Sequence, residues 1–366
     1  MEREMKGMLM LLMTTALFFG FLPIHLGAMP YNFERLHVFL FNLCSGGFVI
    51  LHYTREEKKT SPLLVAYLMI ALFFAVVTFF KLYCLSVGAV FVLALIVESM
   101  RIRRFSFLPW DFFRRGVKTS RRFHQASLLC LSAGLVISGL VMYNNYWGGP
   151  LHYPRLDVDV FFLGFSFPIS LITMSVMFSF MEDQAPPGIR LLLDLNFWAV
   201  NLGVIVFFLF IIFEMLVFQL LAASLLACSV TVIFLLFLRY GSRVQQHAFL
   251  TSGMTFLFFT ALTGIAYILL KAMGDPGYYR AWGKFILSLH AFIALYGWNL
   301  AGLLVIIRRE DFPLRLDSRP VIMFHWVVVV VLAPMGKLFF GVGVAASLLY
   351  GLLLYLVLFS PGRTRA

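Results

Sequence analysis

Eight histidines occur in a chain of 366 residues that is 61% hydrophobic and only 13% charged. An imidazole inside a membrane helix needs a hydrogen-bond partner or a ligand to offset its desolvation. Its neutral ring nitrogen is a good ligand for haem iron, copper or zinc. By position in the apolar runs, His25, His37 and His290 fall toward the outer side of a membrane, and His52, His124, His247 and His325 toward the inner side. His152 falls in an outer loop. His37 opens the second apolar run, and His290 stands about two and a half turns into the tenth. At 1.5 Å per residue their depths are roughly 5 Å and 13 Å, close enough for one planar cofactor if the second helix starts a little earlier than its apolar run. Two imidazoles on different helices can hold an iron porphyrin axially.

The surroundings of the two histidines suit a flat ligand. In His37-Val-Phe-Leu-Phe-Asn-Leu-Cys-Ser-Gly-Gly47 and His290-Ala-Phe-Ile-Ala-Leu-Tyr-Gly-Trp-Asn-Leu-Ala-Gly302, small residues follow within three or so helical turns. They serve close approach to a macrocycle or ordinary small-residue helix packing equally well. A similar opening recurs as His247-Ala-Phe249-Leu250, but 42 phenylalanines make such matches common. His52, His124 and His247 fall at helix ends, where headgroups or water suffice. His325, about two turns inside the eleventh run and followed by Trp326, is a further metal-ligand or proton-carrying candidate.

Other chemistry finds little support. No glycine-rich phosphate loop, His-Glu-x-x-His or local Ser/His/Asp arrangement occurs, so nothing marks a hydrolase. Cys44, Cys84, Cys130 and Cys228 form no C-x-x-C pair, which argues against a disulfide framework or thiolate metal site. Glu98 is three residues from Arg101 and Asp194 four from Arg190, spacings that allow pairs along one helix face. No internal duplication stands out, which places a transporter or flippase second and a structural subunit of a membrane complex third.

The elements that must position these residues are membrane helices. Apolar runs long enough to cross a hydrocarbon core of about 30 Å recur from end to end, which predicts an all-α polytopic bundle forming a single transmembrane domain over 1–366. The expected spans are 8–28, 34–53, 62–80, 82–100, 122–143, 158–181, 190–213, 215–238, 246–270, 281–307, 319–336 and 338–359. The first partly resembles a signal peptide but is longer than usual for one, so it is kept as a span. Breakers mark several connections: Pro30, Asn144-Asn145 with Gly148-Gly149-Pro150, Pro186-Pro187-Gly188, Gly274-Asp275-Pro276-Gly277 and Pro313. Only Lys81 divides the third span from the fourth.

Charge sets the direction. With twelve spans and a cytoplasmic N-terminus, about three quarters of the Lys and Arg fall on the cytoplasmic side, as the positive-inside rule requires. The most basic connection carries Arg101, Arg103, Arg104, Arg114, Arg115, Lys118, Arg121 and Arg122. It reads as an orientation signal that touches anionic lipid headgroups. The net charge of +12 is therefore assigned to membrane lipids and not to nucleic acid. The outer connections Tyr143-Asn-Asn-Tyr-Trp147 and Tyr278-Tyr279-Arg280-Ala-Trp282 are aromatic, as interfacial anchors are.

Twelve spans with a histidine early in the second and another in the tenth make the chain resemble the catalytic subunit of haem-copper oxidases and nitric oxide reductases. The resemblance implies that His37 and His290 hold a haem b-type group near the outer face of a bacterial inner membrane. It also implies a redox partner or further subunits of a membrane complex. The chain departs from that family where position 292 is Phe and position 288 is Ser, so the His-x-His pair of the tenth helix is missing. Spans 158–181 and 190–213 contain no histidine, so copper is not expected and neither is oxygen reduction. The layout also resembles the NnrS-like proteins linked to nitric oxide stress, although Phe39 and Leu40 replace their His-x-His-Glu signature. The expectation is a haem-binding membrane protein acting in electron transfer or in a response to nitric oxide or another gas.

Overall fold

The computed structural model describes residues 1–26, 31–55, 60–114, 116–149, 162–243, 247–273, 276–309 and 318–361. Pro30, Pro150, His152, Gly274, Asp275 and Pro313 lie outside them. Among the described residues there are twelve helices long and apolar enough to cross a membrane, and no strand. They are α1 (Arg3–His25), α2 (Phe33–Arg55), α3 (Pro62–Phe79), α4 (Tyr83–Arg104), α5 (Thr119–Tyr146), α6 (Leu163–Glu182), α7 (Pro187–Ile212), α8 (Leu216–Tyr240), α9 (His247–Ala272), α10 (Gly277–Ile307), α11 (Arg319–Gly336) and α12 (Phe340–Phe359). The chain is an integral membrane helix bundle, with the spans within a few residues of expectation.

Local chemistry starts and stops these helices. Asn32 and Ser61 cap α2 and α3 through the amides of Arg35 and Leu64, and Pro62 and Pro187 occupy first turns where no amide is needed. The N-terminus of α5 is capped from another helix: the Glu182 carboxylate accepts from the Ser120 amide at 2.7 Å and the Ser120 hydroxyl at 2.6 Å. At the other pole of the helix dipole, buried Arg308 donates to the carbonyls of Leu358 and Ser360 at the end of α12.

The turn at Lys81 is real. Lys81 is left-handed with φ 62°, and the amides of Leu82 and Lys81 close back on the carbonyls of Val77 and Thr78. That is a Schellman ending, made without glycine at a cost of about 1–2 kcal/mol. Glu214 does the same between α7 and α8, with φ 58° and the Met215 and Glu214 amides on Phe210 and Ile211. Phe80-Lys81-Leu82 and Phe213-Glu214-Met215 are thus equivalent hairpins, and Lys337-Leu338 occupies the corresponding place between α11 and α12.

The first helix of each group of four is placed equivalently as well. Helices α1, α5 and α9 each pack between the last helix of the preceding group of four (α12, α4 and α8) and the next helix in sequence (α2, α6 and α10). Together with the three hairpins, these packings fit a repeat of four helices, which the sequence did not disclose. Helices α2 and α10 are the most enclosed, with 89% and 83% of their apolar windows buried, and α6 packs against both. Each of these three contains a stretch of wider π-helical turns, at Phe39–Gly47, Phe162–Ser166 and Ile293–Asn299. Close approach of the three is sequence-encoded: a Cβ on Gly46 would strike Ile169, and one on Gly302 would strike Thr173.

Candidate functional site

His37 and His290 occupy equivalent seats. His37 Nδ1 donates to the Ala16 carbonyl of α1 at 2.8 Å, and a Cβ on Gly20 would lie 3.0 Å from the same nitrogen. His290 Nδ1 donates to the Thr260 carbonyl of α9 at 3.0 Å, and a Cβ on Gly264 would lie 3.2 Å from its Cε1. In both, a carbonyl one turn before a glycine fixes the ring, and the missing side chain makes room for it. A carbonyl only accepts, so Nδ1 carries the proton and Nε2 keeps its lone pair. Anchoring one ring nitrogen to a carbonyl is how proteins orient an imidazole whose other nitrogen binds a metal.

The second group of four, α5–α8, has the same frame without the imidazole. Cys130 and Gly134 on α5 stand where Ala16 and Gly20 stand on α1, and Cys130 Sγ donates to the Leu163 carbonyl at 3.4 Å. The residue against Gly134 is Gly164, whose Cα a Gly134 Cβ would approach to 2.3 Å. Sequence reasoning missed this frame. Its visible trace is a small residue four places before glycine, at Ala16-Gly20, Cys130-Gly134 and Thr260-Gly264.

The two seats differ in what faces them. Six residues beyond His290, Tyr296 places its hydroxyl 2.9 Å from His37 Nδ1, and its ring packs on His37 with centroids 5.6 Å apart. Six residues beyond Gly164, α6 has Ser170, which fills far less space. The result is a cavity of about 270 Å³ beside His290, walled by Met174, Phe207, Phe208, Leu226 and Leu257, with Ser166, Ser170 and Asn299 as its polar side. Those three bond one another: Ser170 donates to Asn299 Oδ1 at 2.9 Å, and Asn299 Nδ2 donates to Ser166 Oγ at 3.0 Å. Trp298 Nε1 donates to Ser170 at 3.0 Å. The His290 imidazole in the wall, anchored through Nδ1, keeps the Nε2 lone pair unspent.

The cavity does not include His37. His37 faces α1 and α10, whereas His290 faces the space between α6, α7, α8 and α9. The depths expected from helix starts also change, because α10 begins at Gly277 and not at 281, so that His290 stands farther along its helix than the apolar run suggests.

His325 is joined to the first seat and not to the cavity. Its Nε2 donates to the Tyr296 carbonyl at 2.6 Å, while its ring lies between Phe249 and Phe256. The remaining Nδ1 is enclosed without a hydrogen-bond partner. His25 donates to the Gly336 carbonyl at 2.9 Å, and His124 Nε2 pairs with Thr54 at 2.9 Å. His247 stacks on Phe237, and His52 packs near Phe48.

Glu98 and Arg101 pair as their spacing predicts. Asp194 instead reaches α5, where Thr119 donates at 2.6 Å and Arg122 stands at 3.1 Å. Among the described residues, no three His, Cys, Asp or Glu side chains come together as a metal site. No family model, curated protein or solved structure matches the chain.

Proposed function

We propose that the protein binds haem within the membrane, with Nε2 of His290 at the cavity, and Nε2 of His37 at its own seat closed by Tyr296, as the candidate iron ligands, and that it acts in electron transfer or in a response to nitric oxide or another small gas. The observation that carries the reading is the repeated seat: two imidazoles, His37 buried and His290 half-buried, each fixed through Nδ1 and backed by a glycine, with Nε2 unspent. A haem held by these residues would supply a one-electron couple or an iron able to take a small gas. The chain's own residues orient the rings, through Ala16 and Thr260, and exclude water with the apolar walls around them. At about 270 Å³ the cavity falls just below the roughly 300–1,000 Å³ of pockets that enclose a whole ligand. It accommodates the edge of a macrocycle or a small ligand beside one. The Lys and Arg bias supports cytoplasmic termini, and a bacterial inner membrane is what the resemblance to haem-copper oxidases implies.

The same cavity favours one rival, a cofactor-free carrier of small apolar molecules. An optical spectrum of protein purified from haem-replete cells separates the two. The haem reading expects a Soret band that weakens in His290→Ala and in His37→Ala. No band removes the haem reading, and a band unchanged in both variants moves the ligand to His325 or to the inner group of His52, His124 and His247.

A further inference from the structure

The connection between α4 and α5 has the composition of a membrane interface, and over residues 106–114 side chains hold its backbone in place. Arg101 donates to the carbonyls of Ser106 at 2.9 Å and Phe107 at 2.7 Å, and Arg122 to those of Asp111 at 3.2 Å and Arg114 at 2.9 Å. Arg121 pairs with Asp111 at 2.8 Å. Phe105 and Phe112 turn inward onto His124 and Phe197. With the backbone held in this way, Phe107, Trp110 and Phe113 point outward and are 71%, 59% and 69% exposed.

Large exposed aromatics in a fixed connection mark a surface that is covered in use. Here its surroundings identify the cover. Exposed Arg103, Arg104, Arg114 and Lys118 flank the rings along the chain. Phe113 rests on Trp198 of α7, centroids 5.5 Å apart, and the exposed apolar faces of α4 (Leu95, Ile102) and α7 (Leu191, Leu195) lead into the patch. The patch thus continues the lipid-facing belt at the level where phosphates begin. We propose that residues 103–114 and 116–118 form a binding site for anionic phospholipid headgroups, with Phe107, Trp110 and Phe113 inserted below the phosphates and Arg103 and Arg114 on them. Aromatic rings prefer this depth, and each cation near an anionic surface contributes independently of any cofactor elsewhere in the bundle.

The test uses the full chain in lipid discs containing phosphatidylglycerol and phosphatidylcholine, or phosphatidylcholine alone. Trp110 fluorescence, taken as the difference between the protein and Trp110→Phe, is expected to be quenched by brominated acyl chains and shielded from aqueous iodide. In native mass spectra, retention of phosphatidylglycerol over phosphatidylcholine is expected to fall about tenfold or more in the Arg103→Gln/Arg114→Gln variant. Iodide quenching without bromine quenching would show a water-facing surface suited to a soluble protein partner and would overturn the proposal. Equal phosphatidylglycerol retention by parent and variant would overturn it as well. The substituted side chains are exposed, so an unchanged melting temperature in both variants controls for folding.

Discussion

The hydroxyl of Tyr296 lies 2.9 Å from Nδ1 of His37, across the interface between the third group of four helices and the first. At the equivalent interface between the second group and the third, Ser170 leaves the space beside His290 open. One substitution between large and small, at matched positions of a repeat, makes one imidazole seat closed and the other open.

Tyr296→Ser is therefore expected to open a cavity beside His37. Removing a fully buried ring of this size costs about 3–5 kcal/mol, lowered by whatever the site recovers on relaxing. Thermal unfolding in detergent measures the loss. A change under about 1 kcal/mol would mean that Tyr296 is not the packing element that closes this seat.

Gly264→Val and Gly20→Val should displace the ring each glycine backs, because even the first added carbon lies 3.2 Å from His290 or 3.0 Å from His37. Gly88 has open space at its Cβ position, so Gly88→Ala should instead be neutral or stabilising by up to about 1 kcal/mol. A shifted imidazole resonance in the two valine variants, absent in Gly88→Ala, checks the assignment.

Asn42 is fully buried in the π-helical stretch of α2, with neither side-chain nitrogen nor oxygen paired. Replacing it with the similarly sized leucine should raise stability by about 1–3 kcal/mol by removing an unmet desolvation cost. A lower melting temperature in Asn42→Leu would indicate that the amide has a partner in the membrane.

Lys337, in the hairpin between α11 and α12, is half-buried over the Phe292 ring. Burial holds its ammonium below the usual lysine range, with nearby Glu34 opposing the shift. A lowered pKa means that the folded state binds fewer protons than the unfolded one just below the ordinary value of about 10.4. Stability should therefore rise as pH climbs through that window. Melting temperatures between about pH 8 and pH 10 should show the slope in the protein and its loss in Lys337→Met.

Much of the fold was legible because the determining physics is local to each segment. Run length and hydropathy locate the spans, and the bias of Lys and Arg was enough to place a turn at Lys81 without Gly or Pro. The start of α10 was misplaced because its first turn, Tyr278-Tyr279-Arg280-Ala-Trp282, is interfacial and reads as loop. What was illegible is tertiary. Nothing in Gly264 itself says that it backs His290, nor in Asp194 that Arg122 is closer to its purpose than Arg190. The fourfold spacing of the repeat stays hidden because Gly164 holds the place of the third histidine. His37 and His290 stood out as polar groups in apolar helices, but their sharing one cofactor was an extrapolation from depth, and depth does not fix which side of a helix a residue faces.

The central claim is that two anchored imidazoles hold iron through Nε2. Its most direct test is the haem content of purified protein by pyridine haemochrome, in parallel for the parent, His290→Ala and His37→Ala. The account predicts stoichiometric haem in the parent and a clear loss in each variant. A parent without haem, or variants that retain all of it while folded, would contradict the account.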